Sequence, residues 1–231
     1  MGVRPDYLVH WTGKGIQIDS QKLSSAERDK YVERLLDILS SGFWMTRPNE
    51  ILHGYDGATI PYTIPMTCFS EIRLTKAHSH ARHYGLLGIG VNRRFVLERL
   101  GGPVQYVRNS EVEFIVGNYK QLLDFARTLA IEKRLKPGEQ PENLLITNLT
   151  FLKSMSVTAA IDDFEYLDEL EWRIIPVDRA IGAGLVKKTG HRSPELQIPL
   201  KPEDVSILVF PDAETRTKAL GTKRFKRSLN S

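Results

Sequence analysis

The chain has 231 residues, of which 41% are apolar and 26% are charged, and its formal net charge is +4. This composition is typical of a chain that buries a core, and it excludes an extensively disordered protein. The single cysteine, Cys68, excludes an intrachain disulfide and a multi-cysteine zinc site and fits a reducing compartment, so we expect a cytoplasmic protein.

The first elements predicted along the chain are a strand and a helix. Residues 1–6 lack the apolar run of a signal peptide, and no stretch of about eighteen apolar residues follows, so we expect no membrane role. Residues 7–12 alternate and are rich in β-forming side chains, which predicts a strand closed by Gly13. Ser25 can cap a helix whose apolar residues recur at helical spacing until Gly42, and this apolar stripe is expected in the core.

The next part of the chain combines turn-rich stretches with short strands. Residues 45–65 are rich in Pro, Gly, Asn and Asp, which indicates a long surface excursion before a strand at 66–70. Residues 73–84 are polar and contain three histidines, which we interpret as a loop. The glycine-rich stretch at 85–91 predicts a strand that lies close to other backbone.

Helical spacing dominates the middle of the chain. Residues 92–100 are predicted to be helical, and residues 103–107 are predicted to form a short strand. Between 111 and 135 the apolar residues form a wide stripe, which predicts a buried helix. Residues 136–141 are rich in turn formers and are predicted to be a loop that leads to a further helical piece.

The last third of the chain contains a strand with one apolar and one polar face, predicted from the alternation over residues 166–177. The apolar face consists of Leu170, Trp172 and Ile174, and the polar face consists of Glu169, Glu171 and Arg173. A buried strand at 205–210 and a short helix at 213–219, capped by Asp212, are predicted to follow.

The polar face of the strand at 166–177 has two interpretations. Burial disfavours each charge separately, so the charged side chains must be solvated or paired. In the structural interpretation they form the exposed face of an edge strand, with Arg173 paired to a glutamate. In the functional interpretation they carry the chemistry of a site, and the alternation alone does not decide between the two.

Five stretches of sequence carry a resemblance to a known family. They are YLVHWT at 7–12, ILSSG at 38–42, CFSEIRL at 68–74, HYGLLGIG at 83–90 and ELEWR at 169–173. On these stretches the chain resembles the AbiGi-type abortive phage-resistance family, which is labelled as an antitoxin. The order of the motifs is also similar to that of divergent ADP-ribosyltransferases, including DarT-like enzymes that modify nucleic acid.

The transferase resemblance implies a fold and a cofactor. The fold would be α+β, a single domain over residues 1–220 with a split antiparallel β-sheet core of ADP-ribosyltransferase type and flanking helices. A basic C-terminal tail would follow at 221–231. NAD would be the substrate, and it would lie in the cleft between the two sheets.

The same resemblance implies roles for individual residues. The residues expected to bind NAD are His10, Trp11, Thr12, Ser70, His78 and Tyr84. Glu171 would stabilise the positive charge that develops on the ribose, Glu169 would accept a proton from the attacking group, and Arg82 would hold the pyrophosphate. Arg73 or His78 could take the place of Arg82. The substitution Glu171→Gln is therefore expected to abolish transfer and to leave the fold nearly intact.

Two further groups of charged residues have both a structural and a functional interpretation. His78, His80 and His83 lie close in sequence, but no acidic or cysteine partner completes a zinc motif. We therefore expect no metal site and interpret them as polar loop residues or phosphate contacts. The basic residues between Lys218 and Arg227 are either a solvated, frayed terminus or a nucleic-acid contact, and the first is favoured because no aromatic platform accompanies them.

The function predicted from the sequence is that of an NAD-dependent mono-ADP-ribosyltransferase toxin in phage defence. Its acceptor would be a nucleic acid, RNA or DNA, and a cognate antitoxin or toxin would be its protein partner. The alternative is a non-catalytic antitoxin or binding module that keeps the same scaffold. The presence of both Glu169 and Glu171 favours the enzyme.

Overall fold

The computed structural model describes residues 6–16, 22–53, 59–71, 77–107, 109–136, 141–154, 170–190 and 194–228. The helices are α1 (Ser25–Ser41), α2 (Ala77–Tyr84), α3 (Arg93–Glu98), α4 (Asn109–Glu132), α5 (Pro141–Leu149), α6 (Asp178–Gly182), α7 (Ala213–Gly221) and α8 (Lys223–Ser228). The strands are β1 (Tyr7–Thr12), β2 (Phe43–Trp44), β3 (Glu50–His53), β4 (Thr59–Tyr62), β5 (Thr67–Ser70), β6 (Leu87–Asn92), β7 (Gly102–Pro103), β8 (Gln105–Val107), β9 (Leu152–Ser154), β10 (Glu171–Ile174), β11 (Lys187–Lys188), β12 (Leu196–Ile198) and β13 (Val205–Val209).

Helix α1 begins and ends on local signals in the sequence. Ser24, one residue before the predicted cap, accepts a hydrogen bond from the Glu27 backbone N–H, and the Glu27 carboxylate accepts one from the Ser24 N–H. This capping box satisfies two backbone donors that a helix start leaves unpaired. At the other end Gly42 has a φ of +92°, which a residue with a Cβ rarely adopts, and its N–H donates to Ile38. The chain can therefore turn directly from the helix into β2.

Replacing Gly42 by alanine is expected to destabilise the fold by about 2 kcal/mol, because this backbone conformation is essentially restricted to glycine. An added Cβ would also lie 2.1 Å from the Ile198 carbonyl oxygen in β12. Gly117→Ala is the matched control, since a Cβ at Gly117 in α4 meets no atom within 4 Å and glycine is a poor helix former. Denaturant unfolding measures both changes, and equal effects of the two substitutions would contradict the prediction.

The large sheet has six strands in the order β13-β6-β1-β5-β10-β7, and all of its pairs are antiparallel. Smaller sheets are formed by β11-β12-β2, by the hairpin β3-β4 and by the parallel pair β8-β9. The mixed α+β class with antiparallel sheets is therefore confirmed. The finer ADP-ribosyltransferase type stays a prediction.

The two faces of the large sheet are covered by different elements. On one face the main core packs strand residues such as Leu8 and Phe69 against the apolar stripe of α1, as predicted. On the other face Val9 and Trp11 pack against α2 at the β1 side of the sheet. Beside β5 and β10 the same face is covered by the hairpin β3-β4, by α4 and by α5, in a second apolar cluster. The two faces of the large sheet are thus packed against different elements.

Several predicted elements differ from the structure because tertiary packing overrides the local pattern. Part of the polar stretch 73–84 is the helix α2, whose Ala77 and Ala81 lie one turn apart and are buried against β1. The predicted surface excursion at 45–65 contains the hairpin β3-β4. The predicted strand at 103–107 is divided, because the Val104 N–H donates to β10 whereas the next residue bonds to the chain before β9.

Helix α4 is correctly predicted in position but not in burial. Leu123, Ala126 and Ala130 are buried, whereas Leu122 and Phe125 in the same predicted stripe are 48% and 66% exposed. The expectation of a buried helix therefore holds for the side of α4 that carries Leu123 and Ala126 and is wrong for the side that carries Leu122 and Phe125. The apolar stripe is wider than the face that the hairpin and α5 cover.

The basic tail is not frayed over the residues that the structure describes. Residues 223–228 form helix α8, and Phe225 is buried in the main core. Arg224 donates to Asp37 of α1 at 3.0 Å, and Lys218 of α7 pairs with Asp29. The frayed terminus predicted from the sequence is thus wrong for this segment, because Phe225 anchors it, whereas Lys218, Lys223 and Arg224 stay exposed to solvent as predicted.

Candidate functional site

Arg173 in β10 is a buried guanidinium whose side chain is fully shielded from solvent. Its Nε donates to Glu171 Oε1 at 2.7 Å, and its Nη2 donates to both oxygens of Glu50 at 3.0 and 3.1 Å. Its Nη1 donates to the Thr150 carbonyl and to the Tyr62 hydroxyl. All three guanidinium nitrogens therefore have acceptors, as burial of this group requires.

Glu171 is the second buried charge, with 5% of its surface exposed. Its Oε2 accepts hydrogen bonds from Lys153 Nζ at 2.8 Å and from Arg173 Nη2 at 3.2 Å. Burial by itself raises the pKa of Glu171, but the charges of Arg173 and Lys153 outweigh it and lower that pKa to about 2. The carboxylate is therefore ionised throughout the physiological pH range.

These residues form a network that we call the ion cluster, consisting of Glu50, Tyr62, Lys153, Glu171 and Arg173. The two carboxylates balance the two cations, so the cluster as a whole is neutral. Tyr62 donates to Glu50 at 2.8 Å, and burial raises its pKa, so it stays a neutral hydroxyl. The members come from β3, β4, β9 and β10, so the cluster joins the hairpin and β9 to the large sheet.

The structural interpretation of the polar strand is partly confirmed. Arg173 is paired to a glutamate as expected. The expected exposure is wrong, because β10 lies between β5 and β7, and both Glu171 and Arg173 are buried beneath the hairpin β3-β4 and β9. The charges tolerate this position because each has a partner of opposite sign.

A separate cleft of about 880 Å³ opens at the end of β1. Its lining includes four residues that were expected to bind NAD, namely His10, Trp11, Thr12 and Tyr84. Lys30 and Arg34 of α1 line another part of its wall, together with the exposed Trp44. The volume is in the range of small-molecule sites.

His10 is a half-buried titratable residue in the wall of this cleft. Its ring packs edge-on against Phe43 and Phe69, and its Nδ1 lies 2.9 Å from the Cys68 carbonyl oxygen. A carbonyl only accepts, so Nδ1 carries the proton and donates it. Burial lowers the pKa of His10 more than this hydrogen bond raises it, so the imidazole is neutral.

The structure does not bring His10 and Glu171 together. In the sheet register Val9 lies opposite Ser70, and Ser70 lies opposite Glu171, so these three residues share one face. His10 follows Val9 in β1 and therefore points to the other face, where it contacts Phe69. His10, which was expected to bind NAD, and Glu171, which was expected at the reacting ribose, are therefore on opposite sides of the sheet.

The remaining residues of the predicted site are also dispersed. Ser70 is buried next to Glu171, on the neighbouring strand. His78 and Arg82 are exposed and lie one turn apart on α2. Glu169 lies outside the described residues. The predicted set is thus divided between the cleft, the ion cluster and the surface of α2.

Three members of the ion cluster were not predicted from the sequence. Glu50 and Tyr62 lie in the stretch predicted as a surface excursion, and Lys153 lies in a strand that was not predicted. The alternation of buried Ile60 and Tyr62 with exposed neighbours is a weak strand signal that could have revealed β4. No local signal connects these residues to Arg173, because the contacts span up to 123 positions of the chain.

The other candidate chemistries have little support in the described part of the chain. It contains no group of three or more side chains placed to hold a metal ion. Burial raises the pKa of the Cys68 thiol well above its usual range, so this cysteine is a poor nucleophile. No helix among the described residues is long and apolar enough to cross a bilayer.

Comparison with known proteins gives one family match. The family described as "Putative abortive phage resistance protein AbiGi, antitoxin" matches residues 56–195, which is more than half of the chain. No curated protein and no solved structure matches the chain. The matched region includes Lys153, Glu171 and Arg173, whereas His10 and Glu50 lie before it.

Proposed function

Because this chain belongs to the AbiGi family of abortive phage-resistance proteins, we propose that it acts as an antitoxin that binds the protein toxin of the same defence system. The family match over residues 56–195 carries this proposal, since its description is that of an antitoxin. Neutralisation by binding requires a stable complementary surface and no reactive group.

The family match corrects the function predicted from the sequence. An ADP-ribosyltransferase toxin is wrong as the main function, because the matching family is described as an antitoxin. The alternative of a non-catalytic antitoxin or binding module agrees with that description. The roles of NAD and of a nucleic-acid acceptor stay predictions without a test.

The geometry of the ion cluster does not support the catalytic role that was expected for Glu171. A carboxylate that stabilises a developing oxocarbenium ion must face the substrate. Its negative charge must interact with the positive charge that develops in the transition state. Both oxygens of Glu171 are instead occupied by Arg173 and Lys153. The cluster therefore fits a structural function, which is to hold the hairpin β3-β4 on the sheet.

Co-expression tests the proposed function directly. Each protein encoded next to this chain in its genome is expressed alone and together with the chain, and colony formation is counted. We expect one neighbour to stop growth by itself and the chain to restore it, because a bound toxin is held away from its target. The two purified proteins should also elute together in size-exclusion chromatography.

An unrelated toxin serves as the control, and the chain should leave its effect unchanged. The proposal fails if the chain itself stops growth when it is expressed alone, or if purified chain transfers label from NAD. It also fails if no neighbouring toxin is relieved. These outcomes separate an antitoxin from the enzyme that the sequence predicted.

A further inference from the structure

Strand β13 has the sequence of an interior strand but lies at an edge of the large sheet. Its residues Val-Ser-Ile-Leu-Val include no charge and no proline, and Phe210 follows directly. Val209 packs with the cluster at Trp11 on one face, whereas Leu208 and Phe210 pack with the main core on the other. Strands covered on both faces usually have a neighbour on each side. Among the described residues β13 has only β6.

The opposite edge of the same sheet is protected. Strand β7 is two residues long and ends at Pro103, which has no N–H to offer another strand. Short strands and prolines are common devices by which proteins prevent pairing at an edge. Strand β13 is five residues long and contains no proline, and its pairing with β6 shifts register between Val205 and Ile207, so residues 207–209 are the regular part of this edge. The sheet thus has one blocked edge and one edge that is suited to accept a strand.

The open edge is also held in a fixed position. Gly90 of β6 lies opposite Ile207, and a Cβ at Gly90 would meet Ile207 Cγ2 at 2.3 Å. The missing side chain therefore lets Ile207 pack directly over β6. An edge that is already ordered costs little conformational entropy when a partner adds to it.

A groove of about 600 Å³ lies beside residues 207–210 of β13, and a cationic side chain in its wall favours an acidic ligand. Its walls include residues 207–210 of the strand, Ala77 of α2 and Arg216 of α7. Asp212 also lines the groove, but its carboxylate is paired with Arg28 and caps α7. Arg216 is exposed and has no ion-pair partner among the described residues, so its guanidinium is available at the wall of the groove.

We propose that β13 receives an extended segment of the toxin, which adds a seventh strand to the sheet. The segment would have apolar side chains at alternate positions and an acidic residue that faces Arg216. Backbone hydrogen bonds supply affinity in this type of recognition, and alternate side chains supply specificity. The inference rests on the proposed function, which provides the toxin as partner. Strand β13 lies outside residues 56–195, the part of the chain that the family match covers.

Hydrogen exchange on the unmodified proteins tests the location of the interface. The probe is the toxin whose growth inhibition the chain relieves, added to the purified full chain. We expect amides within 205–209 to exchange at least about tenfold more slowly in the complex, because they become hydrogen-bonded to the added strand. Protection confined to other elements, with 205–209 unchanged, would overturn the proposal. Protection of 205–209 that grows with chain concentration in the absence of toxin would also overturn it, because a second copy would then be the occupant.

Two substitutions test the chemistry of the edge. Ser206 is the exposed residue of β13, and Ser206→Lys places a charge where a strand must dock, so we expect binding of the toxin to weaken by about tenfold or more. Arg216→Glu should weaken binding and reduce its dependence on salt. The matched controls are Gln121→Lys and Lys120→Glu on the exposed side of α4, which should bind as the wild type does. Unchanged melting temperatures show that the variants fold.

The outcomes for the two proposals can be distinguished. If the wild-type chain neither binds nor relieves the toxin, the proposed function fails and the strand assignment fails with it. If the wild type binds and relieves the toxin, and Ser206→Lys and Arg216→Glu do so with unchanged affinity, only the assignment to β13 is overturned.

Discussion

Replacing Arg173 by methionine is expected to destabilise the protein by about 3–5 kcal/mol, the cost of removing one partner from a buried ion pair. Methionine fills a similar volume but cannot donate a hydrogen bond. Glu50 and Glu171 would lose their shared cation, and the Thr150 carbonyl would lose a donor. Denaturant unfolding at neutral pH gives the change in the free energy of unfolding.

The control for this substitution is Arg94→Met, which removes an exposed ion pair with Glu98 on α3. Exposed pairs of this spacing contribute about 0.3–0.5 kcal/mol, so the control should be nearly neutral. If Arg173→Met costs no more than Arg94→Met, the ion cluster does not stabilise the fold. Such a result would also remove the geometric support for its structural role.

Replacing Glu171 by glutamine is expected to cost about 3 kcal/mol at neutral pH, the free energy that corresponds to a pKa lowered from 4.5 to about 2. This differs from the expectation drawn from the sequence, which was an intact fold. The reason is burial, because glutamine would remove the carboxylate that pairs with Lys153 and one of the two that pair with Arg173. The variant should therefore lose stability whether or not the protein has enzymatic activity.

The pH dependence of the free energy of unfolding provides a second test of this prediction. Because the folded pKa is lower than the unfolded one, the stabilisation by Glu171 is fully present above about pH 4.5 and is lost as the pH falls towards 2. Glutamine does not titrate, so the difference in stability between wild type and variant should shrink across that window. A difference that stays constant from pH 7 to pH 3 would show that the carboxylate charge is not the cause. Arg94→Met can be measured in parallel as the control without a buried charge.

The ion cluster also explains how separate segments are held together. Apolar contacts are tolerant of small shifts, whereas the hydrogen bonds of a buried guanidinium require defined positions for all of their acceptors. Arg173 receives such acceptors from the strand β3, from the strand β4 and from the residue that follows α5. We therefore expect the cluster to fix the position of the hairpin β3-β4, and a loosened hairpin in Arg173→Met should exchange its amide protons faster.

The sequence by itself determined the elements whose signals are local. Strand β1, the helix α1 and the start of α7 were predicted close to their observed bounds, because alternation, helical spacing and capping residues act over a few positions. One of the two interpretations of the polar strand also paired Arg173 with a glutamate, and the alternation placed Glu171 and Trp172 on opposite sides of their strand. Side chains in a strand alternate between its two faces with a period of two residues, so a short segment already shows which residues share a face.

Only the tertiary structure decided where these elements lie relative to one another. The place of β10 inside the sheet, the burial of its charges under the hairpin and the supply of Glu50 and Lys153 depend on contacts between distant segments. The separation of His10 from Glu171 depends on sheet register, in which a shift of one residue moves a side chain to the opposite face. The position of β13 at the open edge likewise follows from strand order, since a strand's own sequence shows that it packs on both faces but not which strands lie beside it.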